Sequence, residues 1–436
     1  MHELELYEIA YSAVTKRLCL FTGTGFSKAI TENKVPGWQE LLEIACDRLD
    51  GLDKIKHSLF PKTGSNPLSL EEAAQVIYIE YQKKNKDLHE QIADIIKEIT
   101  LSGDNTPIET FLKNNSIRII TTNYDKLIEE MLSIDNCQSL APGLPIPKCS
   151  SNIKIYHVHG SVDSSSNMIL TSDNYFKFIN HDSYFSKKIS SMIYENTIVI
   201  LGYSLGDTNL KAIINEYTAF SRENVIGSSM FLVSRREVEP YLKEYYFHCY
   251  GIRVVDNLET HEFFEKLNLK VKDVKKRAES SIDNIKKVIR GTHSFSKKFL
   301  QVENSFYEII VSLAAFGARV TDKNAMIMIE KIIQEKIKLT RGDSAWDQYV
   351  HLANWLIYIA TIIEIKDTSL EKIYLEAVSH SMNRMSKDYS RGYSWHAYGA
   401  WKSKWPSIIV SNRVMLKNYV SNNIANQDAV SLVENL

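Results

Sequence analysis

The chain has 436 residues, 44% apolar and 24% charged, the proportions of a folded globular protein rather than a disordered or low-complexity one. Fifty-two basic against fifty-three acidic residues leave a net charge of −1, so no global field favours nucleic acid or an anionic membrane. No apolar run approaches the roughly 18 residues that span a bilayer. The acidic start MHELELYEIAYS has no signal-peptide regions, and the chain reads as cytosolic.

At about 150 residues per domain the length predicts two to three domains. Five cysteines (Cys19, Cys46, Cys137, Cys149 and Cys249) are scattered, odd in number and never paired as CxxC. That pattern excludes a zinc ribbon and argues against a disulfide framework.

From residue 18 to about 268, short apolar runs alternate with helical patterns. The runs are Leu18–Thr22, Ile117–Thr121, Ile153–Val158, Thr197–Leu201, Met230–Val233 and Gly251–Val255. Each holds four to six residues, rich in Ile and Val and without alternation, as expected of strands buried on both faces of a parallel sheet. Ser69 and Glu72 have capping-box spacing at the head of a helix. Asp207 is placed to cap TNLKAIINEYTAF, and Arg236–Tyr246 continues the strand–helix alternation. The expected fold is a Rossmann-like, doubly wound α/β sheet, with residues 38–114 as a helical insertion after the first strand.

Beyond about residue 270 no run resembles a buried strand. Segments near 281–290, 302–315, 323–338, 346–366, 369–386 and 407–420 carry helical spacing, and five of the six tryptophans lie here. The expected organisation is a catalytic domain over 1–270 and an all-helical domain over 275–436. The segment Lys266–Lys298 holds eleven Lys or Arg against three Asp or Glu, which reads as a solvated helical face in preference to a nucleic-acid contact. Trp395, Tyr398, Trp401 and Trp405 fall at helical spacing and read as core.

Polar loops follow four of the runs. Gly23-Thr24-Gly25, with Ser27 behind it, allows a tight turn and close approach of backbone amides to a pyrophosphate. The third glycine of GxGxxG is missing, and Asp47, near the spacing of a ribose-binding acid, sits in a helical pattern, which disfavours hydride transfer. Thr121-Thr122-Asn123-Tyr124-Asp125 either lines a ligand site or caps the helix that follows it. His157 and His159 share one face of a strand, but no cluster of further ligands accompanies them, so no metal is expected. His157 reads as a buried structural histidine, and His159 as a group able to act on a ligand. Gly202-Tyr203-Ser204-Leu205-Gly206-Asp207 closes the set.

In this order, FTGTGFS, TTNYD, HVHGS and GYSLGD resemble the sirtuin-like NAD-binding domain of silent information regulator type. In detail they look like its bacterial branch of NAD hydrolases in anti-phage defence, over about residues 10–268. The resemblance implies that Gly23, Thr24, Gly25 and Ser27 cradle the NAD diphosphate. It places Thr122, Asn123 and Asp125 around the nicotinamide ribose, and Gly202, Ser204 and Asp207 on the adenosine side. It makes Asn123 and His159 catalytic. The zinc-binding cysteine pairs of sirtuin deacylases are missing, since residues 160–201 contain no cysteine. The Asp-Phe-Arg of their cofactor loop is replaced by Val35-Pro36-Gly37-Trp38.

The implied activity is cleavage of NAD+ into nicotinamide and ADP-ribose, depleting NAD in abortive infection. A non-catalytic NAD or ADP-ribose sensor and an NAD-dependent deacylase are the alternatives. Regulation is implied too, through self-association, a phage-derived activator, or a partner ATPase or other defence protein acting on the helical domain.

Overall fold

The computed structural model describes residues 2–133, 136–146, 151–180, 184–203, 205, 208–224, 226, 230–276, 278–342 and 345–436. Seven strands form one fully parallel sheet: β1 Leu18–Thr22, β2 Ile117–Thr121, β3 Cys137–Leu140, β4 Ile153–His157, β5 Thr197–Leu201, β6 Met230–Val233 and β7 Ile252–Val255. Their spatial order is β3-β4-β2-β1-β5-β6-β7. Six of the seven coincide with the short apolar runs of the sequence. The seventh, β3, has the sequence CQSL and alternates half-buried with buried residues. It lies at the sheet edge and pairs with β4 alone. An edge strand needs no continuous apolar run, so it carries none of the signal that betrays the central strands.

The chain runs from β1 outward to β2 on one side and later returns to β5 on the other, so the topological switch point lies beside β1. Register places the strand ends level: Thr22 pairs with Thr121 and Leu201, and Thr121 with His157. The loops that follow β1, β2, β4 and β5 therefore leave the sheet together at one edge.

Two of these loops are in close contact. Gly23 N–H donates to Leu201 O at 3.1 Å and Gly25 N–H to Gly202 O at 2.8 Å. Gly202 has φ +61°, and a Cβ built on it would stand 2.0 Å from Phe26 N. A Cβ on Gly25 would stand 2.8 Å from Gly202 Cα. Glycine is required here by both backbone conformation and space.

Between β1 and β2 the insertion forms the helices Trp38–Asp47, Asp53–Leu59, Leu70–Lys83, Leu88–Lys97 and Thr106–Asn114. Its own apolar cluster includes Leu42, Ala45, Ala74, Ile77, Leu88 and Ile92, and draws in Met168 and Leu170 from the segment after β4. Ser69 caps the third helix as its sequence indicates. Glu72 N–H donates to Ser69 Oγ at 3.3 Å, and Ser69 N–H donates to Glu72 Oε2 at 2.8 Å.

The chain divides into two compact units. The first comprises Met1–Asn215, Ser229–Val238 and Tyr250–Val274; the second comprises Glu216–Ser228, Glu239–Cys249 and Lys275–Leu436. After residue 275 every described element is helical. Trp355, Trp401 and Trp405 are core residues, whereas Trp395 is 50% exposed. Lys336 is fully buried, with Nζ donating to Leu300 O at 2.9 Å and Gln348 Oε1 at 2.7 Å, and burial lowers its ammonium to about 7. Among the described residues no helix is long and apolar enough to cross a membrane.

Gly202→Ala is expected to lower stability by more than about 2 kcal/mol, from left-handed strain and a backbone clash together. Gly64→Ala, at φ +92° with open space around it, should cost only about 1 kcal/mol, from strain alone. Denaturant unfolding checks the pair, and equal losses would contradict the packing argument.

Candidate active site

The site begins with Ser27, on the short helix Thr24–Ala29 behind β1. Its side chain is 1% exposed. The Oγ accepts from Asn123 Nδ2 at 2.8 Å and donates to Asp125 Oδ2 at 2.8 Å. One hydroxyl thus joins the loop after β1 to two side chains of the loop after β2, using its single donor and one acceptor site. Asp125 Oδ1 accepts from Leu127 N–H at 3.2 Å. Asp125, one residue before the N-cap Lys126, thus accepts from the first amide of the helix Leu127–Leu132 and braces the loop as well. Burial pushes its carboxyl above the ordinary carboxylate range, against the Ser27 hydroxyl and the Leu127 amide.

Asn123 is held from three sides. Besides the Ser27 contact, its N–H donates to Thr121 Oγ1 at 3.1 Å, and its carbonyl lies 3.1 Å from His157 Nδ1. His157 is 1% exposed, and its Nε2 lies 2.7 Å from Glu129 Oε1. Lys126 Nζ lies 2.8 Å from the same Glu129 oxygen and 3.1 Å from Asp163 Oδ2. Burial opposes ionisation of Glu129, but His157 and Lys126 overcome it and hold the carboxyl at about 2.

His159, two residues further on, is 6% exposed. Its ring meets the edges of Tyr175 and Phe178, with centroids 5.5 and 5.8 Å away. Its carbonyl accepts from Ile169 N–H at 2.8 Å. β4 ends at His157, which is buried in the interior, and His159 follows in the turn beyond it, on a cavity.

That cavity has a volume of about 330 Å³, the lower end of the range for small-molecule sites. Thr24, Thr122, Asn123, Asp125 and His159 line it at the sheet edge, with Tyr203 from the loop after β5. Its opposite wall comes from the insertion and the strap before it, with Val35, Trp38, Leu41, Leu70 and Glu71. The amides of Gly23 and Gly25 bond to the loop after β5, and the Ser27 hydroxyl lies inside the Asn123–Asp125 bridge. Gly202 stands against Gly25, whereas Ser204 and Asp207 lie outside the described residues.

Sequence reasoning missed Trp38, Glu71, Tyr175 and Tyr203 as cavity residues. Trp38 and Glu71 sit in amphipathic helices whose patterns carry only a packing signal. Among the described residues no group of three or more His, Cys, Asp or Glu is arranged to hold a metal ion. Burial raises the thiols of Cys19 and Cys46 to about 12, which leaves neither suited to act as a nucleophile at neutral pH.

A seven-stranded parallel sheet with helices around it and a cavity beside its switch point defines a Rossmann-like, doubly wound α/β protein. Residues 117–255 match the family described as the SIR2-like domain. The match contains the loops after β2, β4 and β5; the glycine loop after β1 lies outside it. The chain is similar to defense-associated sirtuin 2 of Bacillus subtilis, 24% identical over 262 residues, 57% of this chain and 24% of the relative. It is similar to the NAD(+) hydrolase ThsA of Bacillus cereus, 27% identical over 228 residues, 51% of this chain and 44% of the relative. It also resembles ThsA of Enterococcus faecium, 32% identical over 124 residues, 27% of this chain and 24% of the relative. The chain thus spans less than half the length of each of these relatives.

Ser27→Ala leaves Asn123 Nδ2 and Asp125 Oδ2 without their shared partner in a buried setting. The expected loss is about 1–3 kcal/mol, measured by denaturant unfolding, and unchanged stability would contradict the bridge. Glu129 supplies a pH dependence of definite sign. Its carboxyl is held at about 2 against an ordinary 4.5, so its contribution is complete above about pH 4.5 and is lost as the pH falls through about 2. The stability gap between wild type and Glu129→Gln should therefore narrow over that window in unfolding curves taken at successive pH values.

Proposed function

We propose that this chain cleaves the nicotinamide–ribose bond of NAD+ with water, giving nicotinamide and ADP-ribose, and that the resulting loss of NAD serves anti-phage defence. The observation that carries this reading is the meeting of Asn123 and His159 on one cavity beside the switch point. The similarity to proteins named NAD(+) hydrolase supports it.

In this reading the bond from ribose C1′ to the pyridinium nitrogen breaks, and its electron pair leaves with nicotinamide. A cation-like sugar develops and is captured by water, which releases one proton. Asn123, with Nδ2 bonded to Ser27, offers Oδ1 to a ribose hydroxyl or to the attacking water. His159 hydrogen-bonds the ribose and takes up the proton. Thr24, on the loop whose shape Gly23, Gly25 and Ser27 hold, serves the diphosphate, Thr122 and Asp125 serve the nicotinamide ribose, and Gly202, Ser204 and Asp207 serve the adenosine. Residues 1–270 form the catalytic part. Residues 275–436 form a regulatory and self-association module, answering to a phage-derived activator or a partner defence protein in the cytoplasm. A deacylase reading has no support from residues 160–201, which lack the cysteines of a zinc module.

Nicotinamide release tests the proposal, both with purified protein and in phage-infected cells, where an activator is present. Asn123→Ala and His159→Ala should stay folded, bind NAD within about an order of magnitude of wild type, and lose about 10²–10⁴-fold in turnover. Wild-type cleavage by His159→Ala would remove that histidine from the chemistry. NAD binding by the wild-type chain with no cleavage in infected cells would favour the sensor reading.

A further inference from the structure

Asn123 has four polar groups, and three are engaged inside the protein. Its N–H bonds Thr121, its Nδ2 bonds Ser27, and its carbonyl faces His157 Nδ1. Oδ1 and the second hydrogen of Nδ2 have no partner among the contacts of the described residues, and Oδ1 is the side chain's one acceptor for a ligand. The carbonyl contact is the one that depends on distant chain. Because a carbonyl oxygen only accepts, Nδ1 must carry the hydrogen. His157 Nε2 in turn faces Glu129 Oε1, and Lys126 Nζ meets that same oxygen. Lys126 is itself fixed by Asp163 Oδ2 and by Ser139 Oγ at 2.5 Å. A chain of contacts thus runs from Asp163 on the loop after β4, through the helix behind β2, to the main chain of Asn123.

We propose that His157 is a positioning residue: oriented by Glu129, it donates from Nδ1 to the carbonyl of Asn123 and so fixes where Asn123 Oδ1 stands in the cavity. This rests on the hydrolase reading of that cavity. The low carboxyl value of Glu129 agrees with it, since an ionised Glu129 is what holds the ring. A misplacement of about 1 Å at a reacting group can cost roughly 10²-fold in rate with little effect on binding.

The test compares His157→Asn, whose Nδ2 stands where Nδ1 was and still donates, with His157→Leu, which fills the space and cannot donate. Steady-state NAD cleavage should show kcat within about tenfold of wild type for His157→Asn and about 10²-fold lower for His157→Leu. The KM for NAD should change less than about threefold in both. Equal kcat in the two variants, or a KM effect alone, overturns the proposal. Should His157→Leu fail to fold, Glu129→Leu leaves the imidazole present but unheld. It should lower kcat in the same way, and wild-type kcat in that variant is equally fatal. If the wild-type chain cleaves no NAD under any condition, the hydrolase reading falls by itself. Hydrogen exchange then decides the positioning role: the amides of residues 121–127 should exchange faster in His157→Leu than in His157→Asn, and equal rates overturn it.

Discussion

Parallel pairing constrains this structure more than any single contact. Strands that run the same way must send every carboxyl-terminal loop to the same edge, and each return needs a crossover. The register sets Thr22, Thr121, His157 and Leu201 level with one another. Four short polar segments, spread over some 180 positions of chain, consequently meet at one place. The close contact of the glycine loops after β1 and β5 follows from that convergence, because only glycine lets the two backbones approach as they do.

Within that meeting point the hydrogen bonds converge on one asparagine, Asn123. Short, directional hydrogen bonds from three sources define its position: a strand residue, a helix serine and a buried histidine. The ionised groups behind the histidine are an uneconomical way to gain stability, since taking charges out of water offsets most of their attraction. Their value lies in direction. Glu129 and Lys126 leave His157 one orientation, and the orientation reaches Asn123 through its carbonyl.

The insertion between β1 and β2 has a different part. It carries its own apolar core and supplies the cavity wall that faces the sheet edge. A polar floor from the loops thus faces a largely apolar roof from the helices. Trp38 shows the link, its ring centroid lying 6.1 Å from that of Tyr124 in the Asn123 loop. Tyr124 in turn donates to Ile169 O at 2.7 Å, tying the loop after β2 to the segment that carries the insertion's remaining core residues.

The sequence by itself determined the strands, the helical character beyond residue 275 and the polar loops. Strands buried on both faces read as continuous apolar runs, and glycines beside them mark turns. The edge strand β3 escaped because an edge strand carries no such run, and the helix Trp395–Lys404 was visible only as an aromatic spacing. The four ordered motifs marked Asn123, Asp125 and His159 as candidates, which line one cavity, and the glycine beside His159, not the HVH alternation, set it apart from His157. Tertiary structure alone decided the partners. Ser27 faces Asn123 and Asp125 rather than the loop surface, Glu129 and Lys126 support His157, and Trp38 and Glu71 reach the cavity. Nothing local records these contacts, because they join residues that sheet order and register, not sequence spacing, bring within hydrogen-bond distance.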